Sequence, residues 1–168
     1  MHVDLRRRAG QAGLGGKYHV LGCEVKLESL LPALASSGGM QLGDAKVITE
    51  MFDEIVCIRV LCGVPDPESV VAGLYNILKP GGRMVVCEHV VNSRDGRRGG
   101  TAVGQTMQQF YMMMGWSSIM GGCELTRDTL GSLRKAAQKD GGWEKVDVET
   151  YDAYSTIPHI VGVLTKKG

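Results

Sequence analysis

The apolar positions of this chain change period along its length, and the clearest block runs without alternation. Glu54 to Cys62 (Glu-Ile-Val-Cys-Ile-Arg-Val-Leu-Cys) is almost continuously apolar and rich in β-branched residues. Such a run predicts a strand buried on both faces of a parallel sheet. Pro65-Asp66-Pro67-Glu68 then reads as a helix start. Asp66 can cap, Pro67 suits the first helical position, and Glu68 complements the dipole. Val70, Val71, Leu74 and Ile77 recur at helical spacing and carry the helix to Leu78, where Lys79-Pro80-Gly81-Gly82 stops it. Arg83 to Val91 predicts a second buried strand. Strand, helix and strand form a right-handed βαβ unit, so the fold class is α/β.

Weaker patterns flank this unit. Leu5 and Ala9, with Gly13 as a stop, predict a short basic helix over residues 4–13. Tyr18 to Cys23 reads as a short strand, and Lys26 to Leu34 as a helix limited by Pro32. Ser36-Ser37-Gly38-Gly39 is a break, and Ser93 to Gly104 is a loop rich in glycine and arginine. A helix over Gln105 to Met114, a loop over Gly115 to Cys123 and a helix opened by Thr126-Arg127-Asp128-Thr129 follow, with Asp140-Gly141-Gly142 closing the last. Two final strands are expected at Lys145–Tyr151 and Ile160–Thr165. No internal repeat is evident, and 168 residues suit a single domain spanning 1–168.

Composition narrows the function classes. The hydrophobic fraction of 43% and charged fraction of 22% are those of an ordinary globular protein. Nineteen basic against eighteen acidic side chains leave +1, so no strong field points to nucleic acid. The clusters Arg6-Arg7-Arg8 and Arg94 to Arg98 read as solvated surface. Five cysteines, at 23, 57, 62, 87 and 123, include no Cys-x-x-Cys pair. Cys57 and Cys62 lie in an apolar run, which suits buried thiols better than a zinc site, and no metal is expected. The odd cysteine count without a leader peptide favours a reducing, cytoplasmic setting. No apolar run nears the ~20 residues of a membrane span.

Four motifs in order carry a resemblance. They are Phe52 to Cys62, Val64-Pro65-Asp66-Pro67-Glu68, Leu78-Lys79-Pro80-Gly81-Gly82-Arg83-Met84, and Glu88-His89-Val90. Together they resemble the class I S-adenosylmethionine-dependent methyltransferases of small molecules, the group holding ubiquinone- and thiol-methylating enzymes. Gly122-Cys123-Glu124-Leu125 with Arg127-Asp128-Thr129 resembles a branch acting on lipophilic or thiol substrates, and Pro158-His159-Ile160 its last strand. The resemblance spans about 1–168, with its strong motifs between 52 and 130. It implies a partial Rossmann-like fold: a mostly parallel sheet with an antiparallel last strand, the first two strands of the family's 3-2-1-4-5-7-6 order missing.

It also implies the cofactor S-adenosyl-L-methionine and methyl transfer to a small, lipophilic hydroxyl, thiol or carbon nucleophile. By resemblance, Cys23 and Glu24 match the place that meets the adenine edge, and Arg59, Val60 and Leu61 the end of the fourth strand beside the methionine moiety. The family's Gly-x-Gly-x-Gly loop and ribose-binding acid have no counterpart in these residues; Gly10 to Gly16 follows a helix rather than a buried strand, and Asp4 lies within that helix. Arg59 either binds a carboxylate or pairs with an acid such as Glu88. His89 is either a general base or a satisfied structural histidine. Met107, Phe110, Tyr111 and Met114 share a helical face and, with Trp116, form a lid for a lipophilic substrate, core packing or an interface. The missing strands leave three partner arrangements: a longer parent chain, a complementing chain, or a homodimer. The alternative function is a non-methylating relative, either a pseudoenzyme or partner subunit or a cofactor-free catalyst of a rearrangement.

Overall fold

The computed structural model describes residues 2–15, 17–23, 27–36, 49–93 and 100–168, and forms two compact units, Met1–Val47 and Ile48–Gly168. The first unit holds α1 (His2–Gln11) and α2 (Leu27–Ser36). Asp4 binds Arg7 at 2.6 Å and Arg8 at 3.0 Å along the exposed face of α1. These are one-turn pairs in solvent, and the basic cluster is a solvated helix face as expected. The second basic cluster, Arg94 to Arg98, lies outside the described residues, as does Glu24. The expected strand at Tyr18–Cys23 does not form; the segment is irregular. A strand needs a hydrogen-bonded neighbour, and among the described residues no other strand of this unit offers one.

The second unit runs β1 (Phe52–Ile58), α3 (Pro67–Ile77), β2 (Leu78–His89), α4 (Ala102–Met113), α5 (Trp116–Ile119), α6 (Thr129–Ala136), β3 (Lys145–Tyr151) and β4 (His159–Thr165). The local signals perform as their chemistry dictates. Asp66 Oδ1 accepts from Ser69 N at 3.1 Å with Pro67 opening α3, and Asp128 Oδ1 accepts from Gly131 N at 3.0 Å to start α6. Lys79-Pro80-Gly81-Gly82 bulges out of the β1–β2 ladder, whose register jumps from Phe52↔Leu78 to Glu54↔Arg83, with Gly81 at φ +72. The left-handed turn there needs the residue without a Cβ.

The sheet order is β1-β2-β4-β3, with β1 parallel to β2 and β4 antiparallel to both its neighbours. Three strands thus point one way and the last in sequence points back. This is the 4-5-7-6 half of the order anticipated from the sequence. One face carries Cys57, Met84, Val86, Ile160 and Leu164, all buried, and Val71, Leu74 and Ile77 of α3 with Leu130 and Leu133 of α6 add to the core. At about 25 cal/mol per Å² this apolar burial is the main favourable contribution to the unit's stability. β1 departs from expectation on its other face, where Val56 is 55% and Ile58 is 58% exposed. It is buried on one face rather than two, is an edge strand among the described residues, and ends at Ile58 rather than Cys62.

Candidate functional site

The carboxyl ends of β1 and β2 gather the unit's polar residues. β1 ends because Arg59 turns into the left-handed region at φ +52, still donating its N–H to Cys87 O at 2.9 Å. A non-glycine residue held there stores roughly 1–3 kcal/mol of strain and persists only where its surroundings impose it. Here they do. The turn aims three successive backbone N–H groups at the fully buried carboxylate of Glu88: Val60 N and Leu61 N donate to Oε1 at 2.9 and 3.1 Å, and Cys62 N to Oε2 at 3.3 Å. A nest of backbone N–H groups around an anion is among the strongest ways to hold a buried charge without a counter-ion.

The same loop is clamped from the other side. Arg127 Nη1 donates to Leu61 O and Val64 O, each at 2.8 Å, and Glu124 N donates to Cys62 O at 2.9 Å. Gly63 lies against the backbone of Gly121 and Gly122, where a Cβ would stand in ordinary contact 3.6 Å from Gly121 O. Cys62, Cys123 and Leu125 therefore share one buried cluster, against which Tyr111, Met112, Trp116 and Ile157 pack.

His89, the last residue of β2, joins this cluster. Its Nδ1 lies 3.2 Å from Cys123 Sγ, its carbonyl accepts from Thr129 Oγ1 at 3.2 Å, and its ring meets that of His159 edge-on at 4.4 Å. Burial, then the neighbouring His159 and the Arg59 guanidinium, hold His89 below its ordinary value, so the imidazole is neutral at physiological pH. His159 is pushed the same way, first by burial and then by Arg59. Burial raises the Cys62 thiol, with the adjacent Cys123 and Glu88 adding and Arg127 opposing. Cys57, deeper in the sheet, is pushed up to about 12 by burial and Glu88.

Beyond His89 the chain is fastened by amides. Gln108 Oε1 accepts from Asn92 N at 2.7 Å while its Nε2 donates to Val90 O at 3.1 Å. Asn92 in turn accepts from Thr101 N at 2.6 Å and donates to Ser155 O at 2.7 Å. Gly104 is required by this contact, since a Cβ on it would collide with the Asn92 amide.

The structure sorts the sequence candidates. Arg59, Val60, Leu61 and His89 come together at the strand ends, but not as equals: Leu61 is fully buried, whereas Arg59 and Val60 face outward. Arg59 is not the buried guanidinium its apolar context implied, and the expected partner Glu88 is saturated by backbone N–H groups. Among the described residues Arg59 has no ion pair. Cys23 is half-buried in the irregular part of the first unit. On α4 the inward face differs from the expected one. Gly104 and Gln108 are buried, Tyr111 and Trp116 turn toward the cysteine cluster, Met107 is half-buried, and Phe110 and Met114 are 46% and 65% exposed. A glutamine at the centre of the packed face defeats a reading based on apolar periodicity. The grouping of Cys62, His89 and Cys123 was also missed, because three separate elements deliver them.

A methyltransferase-domain family model matches residues 11–86. Over that stretch the chain is similar to methyltransferase domains. Over 96 residues it is 34% identical to thiol S-methyltransferase TMT1B of Rattus norvegicus, a match covering 57% of this chain and 34% of that protein. Over 126 residues it is 28% identical to thiol S-methyltransferase TMT1A of Homo sapiens, covering 68% of this chain and 43% of the relative. The matches thus span about a third to two-fifths of these curated relatives. Among solved structures, the [4+2]-cyclase SpnF superposes with a TM-score of 0.62 at 13% identity, over 99% of this chain and 62% of that one. That likeness is one of fold. No described helix is long and apolar enough to cross a membrane.

The residues present fit one part of the family's cofactor. An exposed guanidinium at a strand end, with no ion pair among the described residues, suits the carboxylate of an amino-acid moiety. The described residues contain no glycine loop and no carboxylate placed for ribose hydroxyls.

Proposed function

We propose that this protein transfers a methyl group from S-adenosylmethionine to a small, apolar nucleophile, with a thiol favoured over a hydroxyl or carbon acceptor. The observation that carries the reading is the strand-end cluster, where a strained, outward-facing Arg59 and a neutral His89 stand side by side at the carboxyl ends of β1 and β2. Ligands of open α/β sheets sit at such ends. The preference for a thiol follows the thiol S-methyltransferase relatives.

In this reading Arg59 binds the cofactor's carboxylate and the backbone near Val60 borders it, with Leu61 supporting that backbone from the core. Cys23 and Glu24 serve the adenine edge. When bound, the cofactor supplies an electrophilic methyl group on a sulfonium. The chain's task is then to orient the acceptor and take its proton. With Nδ1–H donated to Cys123 Sγ, His89 leaves Nε2 as the base, and its depressed basicity keeps that nitrogen free of a proton at neutral pH. Tyr111 and Trp116 form the apolar wall near the cluster, while Met107, Phe110 and Met114 extend it outward for a lipophilic substrate. The edge of β1, unpaired among the described residues, suits pairing with a second copy or a complementing chain, and the five free cysteines fit a reducing, cytoplasmic setting.

Calorimetric titration with S-adenosylhomocysteine tests the reading. Saturable heat at high micromolar ligand, lost in Arg59→Ala, is expected. A flat titration of folded protein at millimolar ligand would instead favour the non-methylating alternative.

A further inference from the structure

We propose that Cys62, His89 and Cys123 form a binding site for a thiophilic divalent cation of the zinc class. The two sulfurs and one imidazole nitrogen all lie within 4.8 Å of one another, and all three residues are buried. In a tetrahedral zinc site, bonds of about 2.3 Å to sulfur and 2.0–2.1 Å to nitrogen put donor atoms roughly 3.5–3.8 Å apart. The observed 3.2 Å between His89 Nδ1 and Cys123 Sγ lies close to that spacing, so an ion enters with shifts of about an ångström or less at each side chain.

Preorganisation is the stronger argument. The three donors come from the loop after β1, the end of β2 and the loop before α6, yet hydrogen bonds fix each to the next. Glu124 N holds Cys62 O, Thr129 Oγ1 holds His89 O, Glu88 holds Cys62 N, and Arg127 holds the carbonyls on both sides of Cys62. Side chains positioned by such outer contacts bind metal without a large ordering cost. The surroundings also contain a polar group left unsatisfied among the described residues: His159 Nε2 is buried there without a partner, in a ring packed against His89. A buried polar atom left unpaired beside three potential ligands suits a pocket completed by an ion rather than by apolar packing.

Binding is charge-balanced: two thiols each release a proton, two thiolates and one neutral imidazole bind the dication, and the ligand set becomes net neutral. Three protein donors leave a four-coordinate ion one further position. With the ion in place Nδ1 is a ligand and Nε2 carries the ring proton, so the base role given to His89 belongs to the metal-free protein. The inference stands apart from the methyl-transfer reading, and its test uses no cofactor.

The test is titration of the reduced full chain with Co²⁺ alone, followed by displacement with Zn²⁺. We expect one equivalent of Co²⁺ to produce thiolate-to-cobalt charge-transfer absorption and the intense visible bands of tetrahedral coordination, both erased by one equivalent of Zn²⁺. Cys62→Ser and Cys123→Ser should each weaken binding by about 100-fold or more, since loss of even an outer-shell partner costs about 10–100-fold. Cys87→Ser should leave it unchanged. Absence of charge transfer in the wild-type chain with its thiols titrated as free would overturn the proposal. So would a spectrum that survives in the Cys62→Ser/Cys123→Ser double variant.

Discussion

The two ends of β2 both bury charged side chains, and they use them differently. At the amino end, Lys166 is buried; its Nζ donates to Tyr75 O at 3.1 Å and Leu78 O at 2.8 Å and lies 4.6 Å from the centre of the Tyr75 ring. It ties the end of β4 to the α3–β2 junction, and its backbone exchanges bonds with Gly81 and Gly82 across the Lys-Pro-Gly-Gly turn. The other charges there, Lys79–Asp53 and Arg83–Glu54, are exposed surface pairs. At the carboxyl end, Glu88 instead holds the backbone of 60–62 in a strained turn, and the groups beside it are a neutral imidazole, two thiols and an outward guanidinium. One end closes the fold. The other holds a cluster of polar and thiol groups in fixed positions at some cost in strain.

Glu88→Ala tests the contrast hardest. It leaves three N–H groups without their acceptor, each worth about 1–3 kcal/mol when buried and unpaired. The variant should lose roughly 3 kcal/mol or more, seen as a lower denaturation midpoint, and should lose S-adenosylhomocysteine binding with it. A loss below about 1 kcal/mol would mean that the nest does not organise the loop. Lys166→Met at the opposite end should cost about 2 kcal/mol by orphaning two carbonyls, yet leave ligand affinity unchanged in protein that remains folded. A change in affinity there would erase the distinction between the ends.

Arg59→Gly separates strain from function. Glycine adopts the left-handed turn freely, so stability should stay level or rise by about 1 kcal/mol. Affinity for S-adenosylhomocysteine should fall about tenfold, the worth of one charged hydrogen bond of about 1.5 kcal/mol. The smallest effect concerns pH. His89 and His159 have lowered folded values, so below the ordinary 6.5 the unfolded chain binds more protons than the folded one. Stability should therefore fall as pH drops from 7 through 6.5, and level off once both folded histidines are protonated. Denaturant melts across pH 7.5–5.5 should show less of this decline in His89→Gln/His159→Gln.

What the sequence disclosed follows the same division. The βαβ unit was legible because its signals are local: an apolar run, the Asp66-Pro67 cap, the helical spacing of Val70 to Ile77, and a glycine turn. Its neighbours were not, because their structure depends on partners. Tyr18 to Cys23 has strand-like composition but no strand to pair with among the described residues, and Val56 and Ile58 lie on a sheet face that is left exposed there, as is Val161 of the central strand β4. Gln108 and Asn92 look like surface amides in sequence and prove to be central fasteners. At the candidate site, Arg59 and His89 could be anticipated from the resemblance. The use of Glu88 could not, nor could the meeting of His89 with Cys123 from 34 residues away.

The most direct test is methyl transfer itself. S-Adenosylmethionine carrying a deuterated methyl group is incubated with the protein and a panel of small apolar thiols, phenols and activated carbon acceptors, and the products are weighed by mass spectrometry. The account predicts a labelled S-methyl product, with kcat reduced in a folded His89→Gln variant. No labelled product from any acceptor, in protein whose thermal unfolding is cooperative, would contradict it.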